Sequence, residues 1–481
     1  MEAQRTSLGQ NVFLTYLPAE KFKTGVLSAQ FVTPMRRDTA SAYALIPSVL
    51  RRGTVSCPDM GALAEKLDRL YGARIDATVR KIGERQCVGF VASVVDDRFV
   101  PGGERLLEPV AELLGELVCN PVTDLARRFV SAFFESEQAN LLDAIRSQMN
   151  DKREWAARRL LEEMCAREPY GIPRLGDERH VEKLGSKSLF NRYRKLISTA
   201  RLELVYCGSA ERSRVEDALR RAFAALPRED GEDLAPAAPH APRKSIRSVT
   251  DAMDVTQGKL SMGFSCTSDD FPALLLGNSI FGGNSNSKLF LNVREKLSLC
   301  YYASSVYHRQ KRLVTVASGI EFANYEKAYS EILAQLEAVR AGSWEDWELD
   351  GARGTMLNAY ASLGDSQGKL ENFYLSQAAL DLHETPESLA AQVREVTPER
   401  IAEAMGTVRL DTVYFLTGKD AASGGGAADA DSTADECAAQ DGSPAPDSVP
   451  GGAYDGGAAD GYRPAGMADG PWTEHGEEAE E

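Results

Sequence analysis

The residues that could bind a catalytic metal are few and far apart. The chain of 481 residues contains five histidines, and the two closest are 60 residues apart. Zinc peptidases place two histidines one helical turn apart, in H-x-x-E-H or H-E-x-x-H. Neither motif occurs here. We therefore interpret the isolated histidines as surface or capping residues; they are His180, His240, His308, His383 and His475.

No nucleophile stands beside a base. The G-x-S-x-G sequence of a nucleophile elbow is absent. Cys300 and His308 fall on one predicted strand, eight residues apart, which separates them by roughly 26 Å. We therefore interpret Cys300 as a buried cysteine. The glycine-rich run over 282–288 lacks the G-x-x-x-x-G-K-[ST] spacing of a phosphate-binding loop and indicates a connecting loop.

The charge of the chain is unevenly distributed. The net charge is −16, but the last 61 residues contain eight Asp, six Glu and one Arg, a net charge of −13. The first 420 residues are therefore nearly balanced, at −3. A body with this balance is not expected to bind nucleic acid as its main ligand.

The cysteines and the N-terminus favour a cytoplasmic protein. The eight cysteines are scattered and form no C-x-x-C pair, which is typical of small buried residues in a reducing compartment. Residues 1–10 contain no apolar segment of a signal peptide. No run of 18 apolar residues predicts a membrane span. We expect a soluble protein that contacts no membrane.

Changes in composition mark two boundaries. The stretch over 229–245 is charged and proline-rich, with few groups able to pack, as in a linker between separately compact domains. After residue 420 the chain turns rich in Gly, Ala and Asp, with 12 of its 40 glycines. We predict an N-terminal domain over 1–228, a linker over 229–245, a C-terminal domain over 246–420 and a disordered acidic tail over 421–481.

Strand and helix signals follow the same order in both halves. In the first half they predict strands over 12–16, 26–32, 75–82, 87–95 and 202–207, and helices over 63–70, 106–118 and 125–164. In the second half they predict strands over 260–266, 301–307, 314–319 and 413–416, and helices over 272–281, 325–339 and 347–380. The repetition predicts an α+β fold of two homologous halves, each an antiparallel-rich sheet packed with helices.

Three short segments connect this pattern to a known family. They are Leu70–Ala73, Glu168–Pro173 and Val293–Lys296, the last followed by Tyr301. In their order and spacing the chain resembles the insulinase (pitrilysin-type) metallopeptidase family over most of residues 1–420. The resemblance implies that two homologous halves close like a clam around a peptide chamber.

The catalytic motif of that family is absent. The family carries H-x-x-E-H on a helix before a K-G-T turn, and aligning that turn with Arg52-Gly53-Thr54 identifies the corresponding positions. The two histidines become Ala44 and Ser48, and the general-base glutamate becomes Pro47. The third ligand, a downstream glutamate, becomes Ala144. We therefore expect no metal, no cofactor and no intrinsic peptidase activity.

The resemblance also points to a substrate-binding pair. In the family an Arg and a Tyr with R-x₆-Y spacing reach towards the substrate, and Arg294 and Tyr301 have that spacing. A guanidinium offers a fixed fork of donors to a carbonyl or carboxylate, and a phenol adds one hydrogen bond. The alternative is a structural Arg paired with a nearby glutamate and a Tyr on a strand surface.

Together these features predict a non-catalytic peptidase homologue. The resemblance implies pairing with an active, zinc-bearing paralogue to bind or process peptides or unfolded polypeptides. Within the family, the chain is similar to the degenerate bacterial subunit associated with elongation factor P modification. The alternatives are a solitary enzyme with an unrecognised active site and a purely structural subunit.

Overall fold

Two β-sheets, one from each half of the chain, organise the protein. The computed structural model describes residues 3–419, so the predicted tail over 421–481 lies outside the described residues. The strands are β1 (Gln4–Gly9), β2 (Val12–Pro18), β3 (Thr24–Pro34), β4 (Arg74–Ile82), β5 (Arg85–Val95), β6 (Arg201–Gly208), β7 (Arg247–Met253), β8 (Gly258–Ser265), β9 (Cys300–His308), β10 (Leu313–Ile320) and β11 (Arg409–Gly418).

The helices cover the faces of these sheets. They are α1 (Ala40–Leu50), α2 (Met60–Arg69), α3 (Leu107–Cys119), α4 (Ser131–Ser147), α5 (Lys152–Met164), α6 (Glu178–Glu182), α7 (Ser186–Thr199), α8 (Arg212–Ala222), α9 (Phe271–Asn278), α10 (Tyr325–Arg340), α11 (Asp346–Ser362), α12 (Gln367–Ala379), α13 (Pro386–Arg394) and α14 (Pro398–Met405). Two π-helical segments, Ser279–Gly283 and Leu289–Lys296, follow α9.

The two sheets repeat one strand arrangement. Their orders are β1-β2-β6-β3-β5-β4 and β7-β11-β8-β10-β9. In each sheet one pair is parallel, β2 with β6 and β7 with β11, and the other pairs are antiparallel. Each strand of the second sheet therefore has a counterpart in the first, and β1 is an additional edge strand. The predicted α+β fold with two antiparallel-rich halves is confirmed.

Capping residues divide two regions that the periodicity predicts as continuous helix. The region over 125–164 contains α4 and α5, separated by a turn. Asp151 begins α5, because its carboxylate accepts hydrogen bonds from the N–H groups of Arg153 and Glu154. The region over 347–380 divides into α11 and α12, where Ser366 caps α12. The edge strands β1 and β7 are partly exposed and polar, and no periodicity predicts them.

The two halves exchange a helix. α5 of the first half packs on β8 and β11, and α12 of the second half packs on β3 and β6. Gly263 on β8 permits this approach, because a Cβ atom there would lie 2.6 Å from Met164 Sδ on α5. One buried apolar cluster contains residues of both halves, among them Val205 and Leu375. The two halves therefore share a buried contact, although the first half also has a buried apolar cluster of its own.

The segment over 229–245 has no regular secondary structure, as a linker predicts, but it is anchored. His240 is only 5% exposed, and its backbone N–H donates to the carbonyl of Lys311 at 2.9 Å. The guanidinium of Arg85 donates to two carbonyl oxygens of the segment. The interpretation as surface residues is therefore wrong for His240, and also for the buried His308, whose Nδ1 lies 2.9 Å from the Tyr170 hydroxyl.

Two compositional predictions can be examined within residues 3–419. The seven cysteines there are unpaired, and six of them, including Cys300, are buried as predicted. Among the helices of this range, none combines the length and the apolar composition that crossing a bilayer requires.

Candidate functional site

The four positions aligned with the zinc motif lie on two helices that pack together, and Ser48 alone among them offers a side-chain oxygen. Ala44, Pro47 and Ser48 lie on α1, and Ala144 lies on α4, which packs against α1. All eleven residues of α1 are buried. A catalytic zinc needs three protein ligands and one open position. A single serine hydroxyl within a closed helix contact cannot meet that requirement.

Two arginines after α1 make this region unfavourable for a cation. Arg52 Nε lies 2.5 Å from Glu137 Oε1, and Glu137 is the one acidic residue among those that α4 buries. Arg51 Nε donates to the carbonyl of Ile75 on the edge strand β4 at 2.7 Å. Guanidinium groups repel a metal ion. Arg52 also compensates the carboxylate that could otherwise attract one.

The predicted substrate pair lies on the surface of the second half. Arg294 is part of the π-helical segment Leu289–Lys296, and its side chain is 40% exposed. Its guanidinium stands 4.6 Å from the ring centroid of Phe290, and its Nε lies 3.6 Å from Glu295 Oε1. Tyr301 is the second residue of the edge strand β9 and is 52% exposed. Both side chains therefore reach solvent.

A tight turn holds the two side chains on adjoining elements. Ser298 adopts a positive φ of 48°, and its N–H donates to the Arg294 carbonyl at 3.1 Å. The π-helical segment then contacts β9. The hydroxyl of Tyr301 donates to Glu321, and this hydrogen bond raises the pKa of Tyr301. The phenol therefore stays protonated with its proton directed to Glu321, and its oxygen can accept a hydrogen bond from a peptide N–H.

A buried polar cluster between the halves was outside the reach of motif analysis. The Lys311 ammonium is 2% exposed and lies 2.8 Å from Glu84 and 2.6 Å from Glu168. His240 Nδ1 lies 2.5 Å from Glu168 Oε1, and its Nε2 lies 3.4 Å from Asp411 Oδ2. Of these five residues, only Glu168 belongs to a segment that carries the family resemblance. The others are far apart in sequence and have no spacing that signals contact.

A duplicated α+β fold whose zinc-motif positions offer only one serine hydroxyl defines a peptidase homologue without the catalytic metal site. The family model "Peptidase M16 inactive domain" matches residues 183–356. "Probable inactive metalloprotease YmfF" of Bacillus subtilis (strain 168) is 34% identical over 411 residues, which are 84% of this chain and 95% of that protein. The chain belongs to the peptidase M16 family, as an inactive homologue.

Solved structures share the same fold. A conserved protein from Enterococcus faecalis V583 superposes with a TM-score of 0.80 at 27% identity, covering 87% of this chain and 99% of that one. A peptidase M16 inactive domain from Pseudomonas fluorescens superposes with a TM-score of 0.72 at 18% identity, again covering 87% and 99%. At that identity the second similarity shows the fold alone. The resemblance to the insulinase-type family is confirmed.

Proposed function

We propose that this chain is the non-catalytic subunit of a two-chain, cytoplasmic peptidase that binds peptides or unfolded polypeptides together with a zinc-bearing paralogue. The observation that carries the proposal is the contrast between two sites. The motif positions on α1 are buried, and the four positions together offer one serine hydroxyl, whereas Arg294 and Tyr301 reach solvent. A chain that retains substrate-binding groups but has no metal site can contribute binding to another chain's catalysis.

The helix exchange supports placing the peptide chamber between two chains. α5 and α12 fill contacts between the halves of this chain, and each helix contributes to a buried apolar cluster that contains residues of both halves. A clam-like chamber therefore needs a second surface, which a paralogue of the same fold would supply. In that arrangement Arg294 and Tyr301 hold a peptide while zinc on the facing chain activates the attacking water.

The link to elongation factor P modification rests on resemblance alone and is the narrowest part of the proposal. Two alternatives remain as outcomes of the test. A solitary enzyme would cleave peptides without a partner. A purely structural subunit would assemble with a paralogue without affecting its turnover.

The experiment is co-expression with a zinc-motif paralogue, followed by assays of complex formation and peptide cleavage. Arg294→Ala removes a charge-assisted hydrogen bond to bound peptide, worth roughly 1.5–3 kcal/mol, or about ten- to a hundredfold in kcat/KM. Tyr301→Phe removes one neutral hydrogen bond and is expected to have a smaller effect. Arg69→Ala is the matched control, because Arg69 is an exposed arginine on α2 that pairs with Glu65.

An intact complex with impaired cleavage in the Arg294 and Tyr301 variants supports the proposal. Unchanged cleavage in both would leave the structural-subunit alternative. Cleavage by the purified chain alone, or failure to assemble with any paralogue, would favour the solitary enzyme.

A further inference from the structure

Three potential metal ligands converge at the contact between the two halves. Cys165, Glu168 and His240 each offer one ligand atom, and these atoms lie within 4.8 Å of one another. Cys165 Sγ is 4.0 Å from His240 Nδ1, which is 2.5 Å from Glu168 Oε1. In a tetrahedral zinc site with bond lengths of about 2.0–2.3 Å, such atoms stand roughly 3.3–3.6 Å apart. The sulfur–nitrogen and nitrogen–oxygen separations therefore each differ from those of a zinc site by under about 1 Å. Small rotations of the three side chains would accommodate an ion.

The backbone around the three ligands is well defined. Cys165 directly follows α5 as its C-terminal capping residue, and its N–H donates to the Leu161 carbonyl at 2.9 Å. The next turn folds back, because the Glu168 N–H donates to the Cys165 carbonyl at 2.9 Å. Gly171 belongs to the same turn, where a Cβ atom would lie 2.3 Å from the Cys165 carbonyl oxygen. His240 reaches this turn from the anchored segment over 229–245.

Two of the ligands also have the outer partners that metal ligands usually have. Asp411 lies 3.4 Å from His240 Nε2 and is placed to accept its proton, which directs Nδ1 to the ion. Lys311 lies 2.6 Å from Glu168 Oε2, which leaves Oε1 facing His240. Carboxylate–histidine pairs and hydrogen-bonded carboxylates are the outer contacts that orient ligands in metal sites.

We propose that Cys165, Glu168 and His240 form a binding site for zinc or a similar borderline transition-metal ion. A thiolate and an imidazole select such ions over magnesium or calcium, which prefer oxygen ligands. The Glu168 side chain is 23% exposed, so the site opens to solvent on that side and water can complete the coordination. This site is separate from the zinc-motif positions on α1 and α4. Its role is to fasten the two halves.

The charges around the site balance with or without the ion. Without metal, the carboxylates of Glu84, Glu168 and Asp411 face the cations of Lys311, Arg243 and protonated His240. When zinc binds, the Cys165 thiol and His240 each release one proton, and the two positive charges of the ion replace those of the two protons. No net charge is therefore buried by the exchange.

The test uses the purified full chain, stripped with a chelator and titrated with Co²⁺. Cobalt occupies zinc sites, and a bound thiolate gives a charge-transfer absorption in the near ultraviolet. We expect one Co²⁺ per chain with that absorption, its displacement by Zn²⁺, and a higher melting temperature with metal. Cys165→Ala abolishes the absorption, whereas Cys119→Ala, which removes another cysteine of the first half, preserves it.

Two further variants keep the result interpretable if Cys165→Ala fails to fold. Glu168→Gln is expected to weaken Co²⁺ binding while preserving the thiolate absorption. Asp411→Asn is expected to weaken binding about ten- to a hundredfold through the orientation of His240. A wild-type chain that binds no Co²⁺ or Zn²⁺, or an absorption that survives Cys165→Ala, would overturn the site and leave a metal-free ion-pair cluster.

Discussion

The two halves repeat one fold, yet the positions predicted to be functional differ in accessibility between them. In the first half, the helix that would carry the zinc motif is buried over its whole length, and Arg52 pairs with the nearby Glu137. In the second half, Arg294 and Tyr301 stand on a surface that solvent reaches. The same fold can therefore be built around different side-chain chemistry at equivalent levels of packing. The motif positions on α1 belong to the core, whereas Arg294 and Tyr301 are accessible polar groups.

The largest effect is expected when the two halves are expressed as separate chains. Expressed alone, residues 1–245 and 246–420 are each expected to remain unfolded, because each sheet loses the helix that the other half supplies. Circular dichroism and cooperative denaturation curves measure this. Co-expression of both pieces should restore a folded complex. A cooperative unfolding transition in either isolated piece would show that the exchanged helices are dispensable.

The second-largest effect is expected where the halves meet. Lys311→Met leaves Glu84 and Glu168 without their shared cation and should lower the free energy of unfolding by about 3 kcal/mol. This value is the low end for breaking a buried ion pair, because both carboxylates retain some solvent contact. Urea denaturation of the metal-free chain measures it. The control is Lys21→Met, because Lys21 pairs with Asp365 across the same two halves on the exposed surface, where a pair contributes about 0–1 kcal/mol. Equal losses of stability in the two variants would show that the buried ion pairs contribute no more than the exposed one.

Restoring histidines sharpens the contrast between a sealed and an open site. Ala44→His and Ser48→His insert larger polar rings into a buried helix and are each expected to cost roughly 1–3 kcal/mol. No zinc-dependent cleavage should appear, because Pro47 supplies no general base. Ala139→His on the exposed face of α4 is the control and should be nearly neutral. Zinc-dependent cleavage by the double variant would mean that α1 opens more readily than its burial indicates.

The histidine at the contact predicts a dependence on pH. Burial opposes its charge, but hydrogen bonds to Asp411, Cys165 and Glu168 outweigh burial and raise the pKa of His240 from 6.5 to about 11. Because the folded-state pKa is the higher one, this stabilisation is complete below about pH 6.5 and is lost as pH rises towards 11, by at most about 1.4 kcal/mol per pH unit. In the metal-free chain, the difference in stability between wild type and His240→Gln should therefore shrink from pH 7 to pH 10. A difference in stability that stays constant over this pH range would contradict the raised pKa of His240.

The smallest effect is expected at the open site. Arg294→Ala and Tyr301→Phe should change the free energy of unfolding by less than about 0.5 kcal/mol, because both side chains lie on the surface. Thermal and urea denaturation of this chain alone measure it. A loss comparable to that of Lys311→Met would identify Arg294 as the structural arginine of the alternative interpretation.

Local signals were sufficient for much of the fold. Alternation and apolar runs predict the strands β2–β6 and β8–β11, because the edge strand β4 largely alternates in burial while inner strands such as β3 and β6 are buried on both faces. The zinc-motif positions were also predicted to be without ligands, since Ala44, Pro47 and Ala144 offer no donor atom in any fold. The hydrophobic periodicity does not show that residues 125–164 form two helices, because the boundary between α4 and α5 depends on the capping hydrogen bonds of Asp151.

The α+β class, the duplication, the family resemblance and the absence of the catalytic metal motif could all be predicted from the amino-acid sequence, because each depends on residue type and local spacing. How the halves join became visible in the folded chain. The exchange of α5 and α12, the anchoring of His240 and the burial of Lys311 between Glu84 and Glu168 bring together residues far apart in the chain. No local pattern records such contacts, because they depend on how the whole sheets pack against each other.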